Sequence, residues 1–351
     1  MTTDPLDRAA VAAVDVSGEA ADIVDLGTHL RDALWRVQSA RLKPLRAPAG
    51  LVLAGMGGSA IGADLALAAL GDRLRAPIFS ARAYTLPAWT TAETPVLCAS
   101  YSGNTEETLA CYAAAGELGA PRIVATSGGT LAQRARADGV PVIPLPGGFQ
   151  PRAAVGYAAV VALEVAALFG VAPALHDELE AAAALVGELG GEWGPDGPAG
   201  GEAKALAGSL HGSVPVITGA GLTAPVAYRW KCQFNENAKL PAFAGALPEV
   251  DHNEIVGWGG AAEHGRFAAV FLDDPDTDPR IRRRFALTAE LIEEPAEVVV
   301  TLSGRGQSRT ERVMSLVLLG DLASLYVAVL RGIDPTPVEV IEDLKARLAR
   351  A

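Results

Sequence analysis

Residues 100–108 read SYSGNTEET, preceded by the apolar run PVLCA (95–99) and followed by LACYAAAGEL (109–118). A short buried strand therefore passes into a helix through a segment rich in hydroxyls. A helix N-terminus leaves backbone N–H groups unpaired and carries a partial positive charge. The hydroxyls of Ser100, Ser102 and Thr105 add donors there without adding charge, and Gly103 lets the backbone approach an anion closely. Capping the helix requires only one such side chain. Three spaced hydroxyls and a glycine exceed that requirement and point to a phosphate site.

Outward from this stretch the same logic recurs. Leu51–Ala54 is a short strand that runs into GMGGSAIGADLALAAL, a second strand-to-helix junction. Gly55, Gly57 and Gly62 only approximate a dinucleotide fingerprint: the last spacing is wrong, and no acidic residue ends the next strand, near Phe79–Arg82. Strands are predicted at Ile78–Ala81, Val96–Ala99, Arg122–Ala125 and Val140–Pro144, separated by helical or turn segments. Such alternation predicts an α/β fold, a mainly parallel sheet flanked by helices. The turn Thr126–Thr130 reads as a tight turn near the site. A helix over Asp22–Ala40 places Ile23, Leu26, Leu30, Leu34 and Val37 on one face, and His29 within it reads as a surface or packing residue. The Pro/Gly cluster PLPGGFQP is a loop, and Arg152 stands at the mouth of the apolar helix that starts at Ala153. A cation is disfavoured at that end of a helix, so Arg152 needs an anion, either in the site or on a surface carboxylate.

Residues Gly187–Gly201 contain seven glycines and two prolines, the composition of a linker. It divides the chain into 1–186, a linker 187–201, and 202–351. The second part restarts the pattern with a strand at Val214–Thr218, a glycine turn and a helix over Thr223–Leu240, but its loop GAGLTAP offers only Thr218 and Thr223. Late in that helix Glu236 lies between Asn235 and Asn237. It is either a buried hydrogen-bonded structural group or a general base tuned by partial burial. His252, between Asp251 and Asn253, is placed for proton transfer or is structural. Asp251, His252 and Glu254 are too close-set for a metal-ligand pattern. Strands follow at Phe267–Leu272 and Val298–Leu302, and helices at Asp278–Leu291, with the solvated basic run RIRRRF, and at Arg309–Arg331. The last helix is expected to turn Val338, Ile341, Leu344 and Leu348 inward and to leave Lys345 on the surface.

The formal charge of −12 over 351 residues argues against nucleic acid as a partner. Three scattered cysteines suggest neither a disulfide framework nor a zinc site. The N-terminus lacks a signal-peptide pattern, and no apolar run is read as reaching the roughly 20 residues of a membrane span. A cytoplasmic protein without membrane contact is expected.

The Ser-x-Ser-Gly-Asn-Thr-x-Glu spacing resembles the sugar-phosphate loop of the sugar isomerase (SIS) domain family, and Gly57, Gly58 and Ser59 match its Gly-Gly-Ser. Together GMGGS (55–59), SYSGNTEE (100–107), PRAAVGY (151–157), NENAK (235–239), DHNEIVGW (251–258) and PVEVIEDLK (337–345), in order, resemble the bifunctional phosphoglucose/phosphomannose isomerase family. The resemblance implies two SIS-type domains and metal-independent, cofactor-free aldose–ketose isomerisation of glucose 6-phosphate or mannose 6-phosphate to fructose 6-phosphate. It further implies that Gly58, Ser59, Ser100, Ser102 and Thr105 hold the phosphate, that Glu236 moves the proton through a cis-enediol, and that Arg152 stabilises the enediolate. The same resemblance implies that His252 and Lys345 assist ring opening, with the histidine coming from the neighbouring subunit of a homodimer, and makes Thr336 the candidate for admitting mannose 6-phosphate. An idle SIS sensor of sugar phosphates, or a narrower phosphomannose or amino-sugar-phosphate isomerase, is the alternative.

Overall fold

The computed structural model describes residues 4–348 and 350. In chain order the elements are helices α1 (Arg8–Val14), α2 (Glu19–Val24) and α3 (Leu26–Ser39); β1 (Leu51–Ala54), α4 (Gly57–Leu70), β2 (Ile78–Ala81), β3 (Val96–Ala99), α5 (Glu106–Glu117), β4 (Arg122–Thr126), α6 (Gly129–Ala137), β5 (Val142–Pro144), α7 (Val155–Leu168) and α8 (His176–Trp193). The second half has α9 (Glu202–Leu210), β6 (Val214–Gly219), α10 (Ala224–Glu236), β7 (Phe243–Ala246), the short α11 (Glu254–Gly257) and α12 (Ala261–His264), β8 (Phe267–Asp273), α13 (Pro279–Ile292), β9 (Val298–Ser303), α14 (Arg309–Leu330) and α15 (Glu339–Leu348).

The chain forms two compact units. The N-half unit comprises Asp25–Glu188 and Gly304–Leu316; the C-half unit comprises Met1–Val24, Leu189–Ser303 and Val317–Ala351. The partition differs from the linear division expected from the glycine-rich stretch. Residues 187–193 are the last turns of α8: the apolar period carried by Leu179, Ala182, Val186, Leu189 and Trp193, all buried, outweighs the helix cost of its glycines. The helix expected over residues 22–40 is interrupted at Asp25, where the N-half unit begins.

In the N-half unit five parallel strands lie in the order β2-β1-β3-β4-β5. Strand β1 is buried along its whole length, as a central parallel strand between two helix layers must be. One core cluster packs Val52, Val96, Cys98 and Val124 against Cys111, Tyr112 and Leu131. Helices α4 and α7 approach so closely that a Cβ on Gly62 would overlap Ala158.

The C-half unit repeats the scheme with four parallel strands, β7-β6-β8-β9. Its edge strand β7 is not anticipated from sequence, because FAGA carries no strand signal beyond Phe243. The core includes Ala269, Phe271, Phe285 and Ile292, with the two phenylalanine rings edge to face at 5.8 Å. Among the described residues α14 is long and apolar enough to span a membrane, contrary to the expectation from sequence, but 94% of its most apolar window is buried. That is the pattern of a core helix. Cys98 and Cys111 are buried thiols.

Helix α15 also departs from expectation. None of its residues is buried, and Ile341, Leu344 and Leu348 are 40%, 56% and 51% exposed. Its apolar period is real, but no described segment of this chain covers that face.

Candidate active site

In the N-half sheet the strand order reverses between β1 and β3, with Ala54 paired to Cys98. The loops leaving the carboxyl ends of two adjacent strands therefore flank one crevice, the usual ligand position in an open α/β sheet. The β3–α5 loop is SYSGNT. Ser100 is 2% exposed; its Oγ accepts from Gly103 N at 3.1 Å and lies 2.8 Å from Thr105 Oγ1. Either hydroxyl can donate in that pair, and the proton of the other is then left to meet an anion. Ser102 is exposed, and its Oγ accepts from Asn104 N at 3.3 Å, leaving its proton available. Thr105 is the N-cap of α5, and its side chain makes no cap hydrogen bond, so the first-turn N–H groups add to the donors. Ser100 thus braces the loop through Gly103 N, while Ser102 stands exposed.

Gly103 has φ +69°, and a Cβ there would overlap the Gly128 carbonyl oxygen. The β4–α6 turn supports the loop from behind: Leu131 N donates to Gly103 O at 2.8 Å, and Thr130 donates to Asn104 Oδ1 through both N and Oγ1 at 3.0 Å. Thr126–Thr130 is accordingly a tight turn against the site.

From the neighbouring strand, α4 opens with Gly57, Gly58 and Ser59, and its N-cap Met56 supplies no side-chain bond. A Cβ on Gly58 would stand 2.6 Å from the Pro151 carbonyl oxygen and 3.6 Å from Arg152 Cα. Glycine is therefore what allows the 146–152 segment to lie against this helix start. Arg152 is 3% exposed, not a surface arginine. The fold brings Gly58, Ser59, Ser100, Ser102, Thr105 and Arg152 to one end of one sheet.

Glu236, His252 and Lys345 belong to the C-half unit. Glu236 ends α10, is half-buried, and lines a cavity of about 810 Å³ with Asn235, Lys239, Leu240 and residues of the 333–341 segment. Its neighbouring amides serve the backbone and core: Asn235 Oδ1 accepts from Ala242 N at 3.0 Å, and Asn237 Nδ2 donates to Ser324 Oγ at 3.0 Å. Lys239, to which sequence reading gives no role, has φ +50° and donates from Nζ to the carbonyl oxygens of Glu236 and Pro335 at 2.6 and 2.7 Å. It ties the end of α10 to the segment that carries Thr336, which is 9% exposed. A left-handed lysine leaves no trace in the sequence.

His252 is exposed, in the short turn Glu249–His252. Its sequence neighbour Asp251 is engaged elsewhere: Oδ2 accepts from Arg284 Nη1 and Oδ1 from Thr288 Oγ1, both at 2.8 Å. One arginine of the basic run thus holds the turn through Asp251. Lys345 is exposed on α15. In the second glycine loop Thr223 is wholly buried, and its Oγ1 donates to Leu272 O at 2.6 Å and accepts from Ala220 N at 2.9 Å. That loop has turned its hydroxyl inward and presents none to a ligand.

Residues 200–348 match the family model described as the bacterial phospho-glucose isomerase C-terminal SIS domain. The chain is similar to bifunctional phosphoglucose/phosphomannose isomerases from Caldicellulosiruptor bescii, at 40% identity over 85% of this chain and 89% of that one, and from Aquifex aeolicus, at 37% over 86% and 91%. Among solved structures, a hypothetical protein from Thermus thermophilus shares the fold with a TM-score of 0.71, 16% identity, and coverage of 98% of this chain and 94% of that one. With motifs, paired parallel sheets and sequence in agreement, this chain belongs to the bifunctional phosphoglucose/phosphomannose isomerase family.

Proposed function

We propose that the protein interconverts glucose 6-phosphate and mannose 6-phosphate with fructose 6-phosphate. The observation that carries this reading is the convergence of the glycine-led start of α4, the hydroxyl-rich start of α5 and a buried arginine at the carboxyl ends of β1 and β3. The Ser102 and Thr105 hydroxyls, the α5 N–H groups and the Gly58–Ser59 start of α4 bind the phosphate, which a protein of net charge −12 must hold by local dipoles. Ser100 keeps the loop in shape.

In the open-chain aldose the Glu236 carboxylate removes the proton from C2. The C2–H electrons form the C1=C2 bond, and the carbonyl electrons move to O1. Arg152 stabilises that developing oxyanion. Transfer of the O2 proton to O1, return of the proton from Glu236 to C1 by the C1=C2 electrons and formation of the C2 carbonyl from the O2–H electrons give the ketose. A general base contributes about 10²–10⁴-fold to such a step. His252 and Lys345 assist ring opening, and Thr336 is the candidate for accepting both epimers.

We further read the protein as a cytoplasmic homodimer in which the partner subunit supplies the histidine. The open apolar face of α15 and Val256, 79% exposed four residues from His252, support an interface.

The test is formation of fructose 6-phosphate from each aldose. Glu236→Gln is expected to keep sugar-phosphate binding and to lose at least 100-fold in kcat; normal turnover by that variant removes Glu236 from the role of base.

A further inference from the structure

Arg152 lies at the end of a loop, PLPGGFQPR, whose two consecutive glycines, Gly148 at φ +102°, give it little stiffness of its own. What fixes it comes from other segments. Phe149 donates its backbone N–H to the hydroxyl of Tyr101 at 2.9 Å, not to a backbone carbonyl. Tyr101 is the second residue of the phosphate loop, and its carbonyl is in turn held by Ser127, which donates from N at 3.0 Å and from Oγ at 2.7 Å. The Phe149 ring packs on His29 at 4.7 Å and on Tyr157 at 5.9 Å between centroids. Between Phe149 and Arg152 a turn closes, with Ala153 N donating to Gln150 O at 2.9 Å, so a shift of Phe149 passes directly to the arginine. On the far side Pro151 abuts Gly58.

We propose that Tyr101 is a positioning residue, whose hydroxyl couples the phosphate-binding loop to the segment that holds Arg152. This rests on the isomerase reading. Tyr101 does not touch the phosphate in this scheme; it sets where the guanidinium stands once the phosphate is bound, and a displacement of about 1 Å is enough to slow a reaction substantially. The hydroxyl is the only group needed for this, since an N–H acceptor is what the loop requires.

The experiment uses the full chain. Wild type is first assayed with both aldoses; an inactive wild type overturns the isomerase reading and this inference with it. With an active wild type, Tyr101→Phe is expected to lower kcat about tenfold while KM and the affinity for inorganic phosphate stay within about twofold, because Ser102 and Thr105 are untouched. In an Arg152→Ala background the same substitution is expected to cause no further loss, the signature of two residues acting through one path. Phe149→Leu, which keeps the N–H but loosens the aromatic packing, is expected to lower kcat in the same sense. An unchanged kcat in Tyr101→Phe, a matching loss of phosphate affinity, or an additive loss with Arg152→Ala would each overturn the inference while leaving the isomerase reading intact.

Discussion

Arg229 and Asp321 form an ion pair inside the C-half unit, Nε to Oδ1 at 3.0 Å, with side chains only 2% and 6% exposed. Arg229 is on α10, two helical turns before Glu236, and Asp321 is on α14. The pair fixes the helix that presents the proposed base. Removing one partner of a buried pair strands the other charge, at a cost of about 3–5 kcal/mol. Asp321→Ala is therefore expected to lower the unfolding free energy of this unit by that amount in urea titration. The double variant Arg229→Met/Asp321→Leu should recover most of it; a single variant costing less than about 1 kcal/mol would show that the pair does not hold α10.

Gly103 combines a left-handed backbone with contact to the Gly128 carbonyl. Gly103→Ala should weaken inorganic phosphate binding about tenfold, measured by calorimetry, and destabilise the N-half unit by about 1–3 kcal/mol. Gly139, also left-handed but with open space around its Cβ position, serves as the control: its alanine variant should leave phosphate affinity unchanged.

His29 is buried with Nδ1 lacking a hydrogen-bond partner, and burial lowers its pKa despite the opposing influence of Asp25 and Asp32. The unfolded chain takes up a proton near the ordinary value of about 6.5, whereas the folded chain does so only at lower pH. The stability from keeping this ring neutral is thus complete above about pH 6.5 and is lost as pH falls towards the folded value. Melting temperature should drop on acidification through this window, and His29→Phe, which suits the aromatic contacts with Phe149 and Tyr157, should show a shallower drop. Equal slopes for the two proteins would dismiss His29 as the titrating group.

If the partner subunit supplies the histidine, two inactive variants should rescue one another. Mixing His252→Ala and Glu236→Gln proteins in equal amounts and allowing exchange gives hybrid dimers in half the population, each with one complete set of residues, hence about a quarter of wild-type activity. No recovery, with exchange verified by mass, would place the histidine in the same subunit as its glutamate.

Much of the N-half site was legible because strand-to-helix junctions write themselves locally: β1, β3 and their glycine and hydroxyl loops stand within a residue or two of their predicted places. What depends on distant packing was not. Ser100 reads like Ser102 in sequence, yet one is buried and braces the loop through Gly103 N while the other is exposed. Asp251 is adjacent to His252 in sequence, but Arg284, 33 residues on, takes its carboxylate. The glycines of 187–201 suggested a flexible joint, but flanking apolar residues carry α8 through Trp193. The amphipathic period of α15 correctly gave a helix and wrongly gave it a covered face.

The decisive measurement is coupled formation of fructose 6-phosphate from glucose 6-phosphate and, separately, from mannose 6-phosphate, in EDTA throughout, for wild type and Glu236→Gln. Turnover of both aldoses by wild type, unaffected by the chelator and lost in the variant with sugar-phosphate binding retained, is the expected result. Absence of turnover with either aldose, while sugar phosphate still raises the melting temperature, would contradict it and leave a protein that binds sugar phosphates without isomerising them.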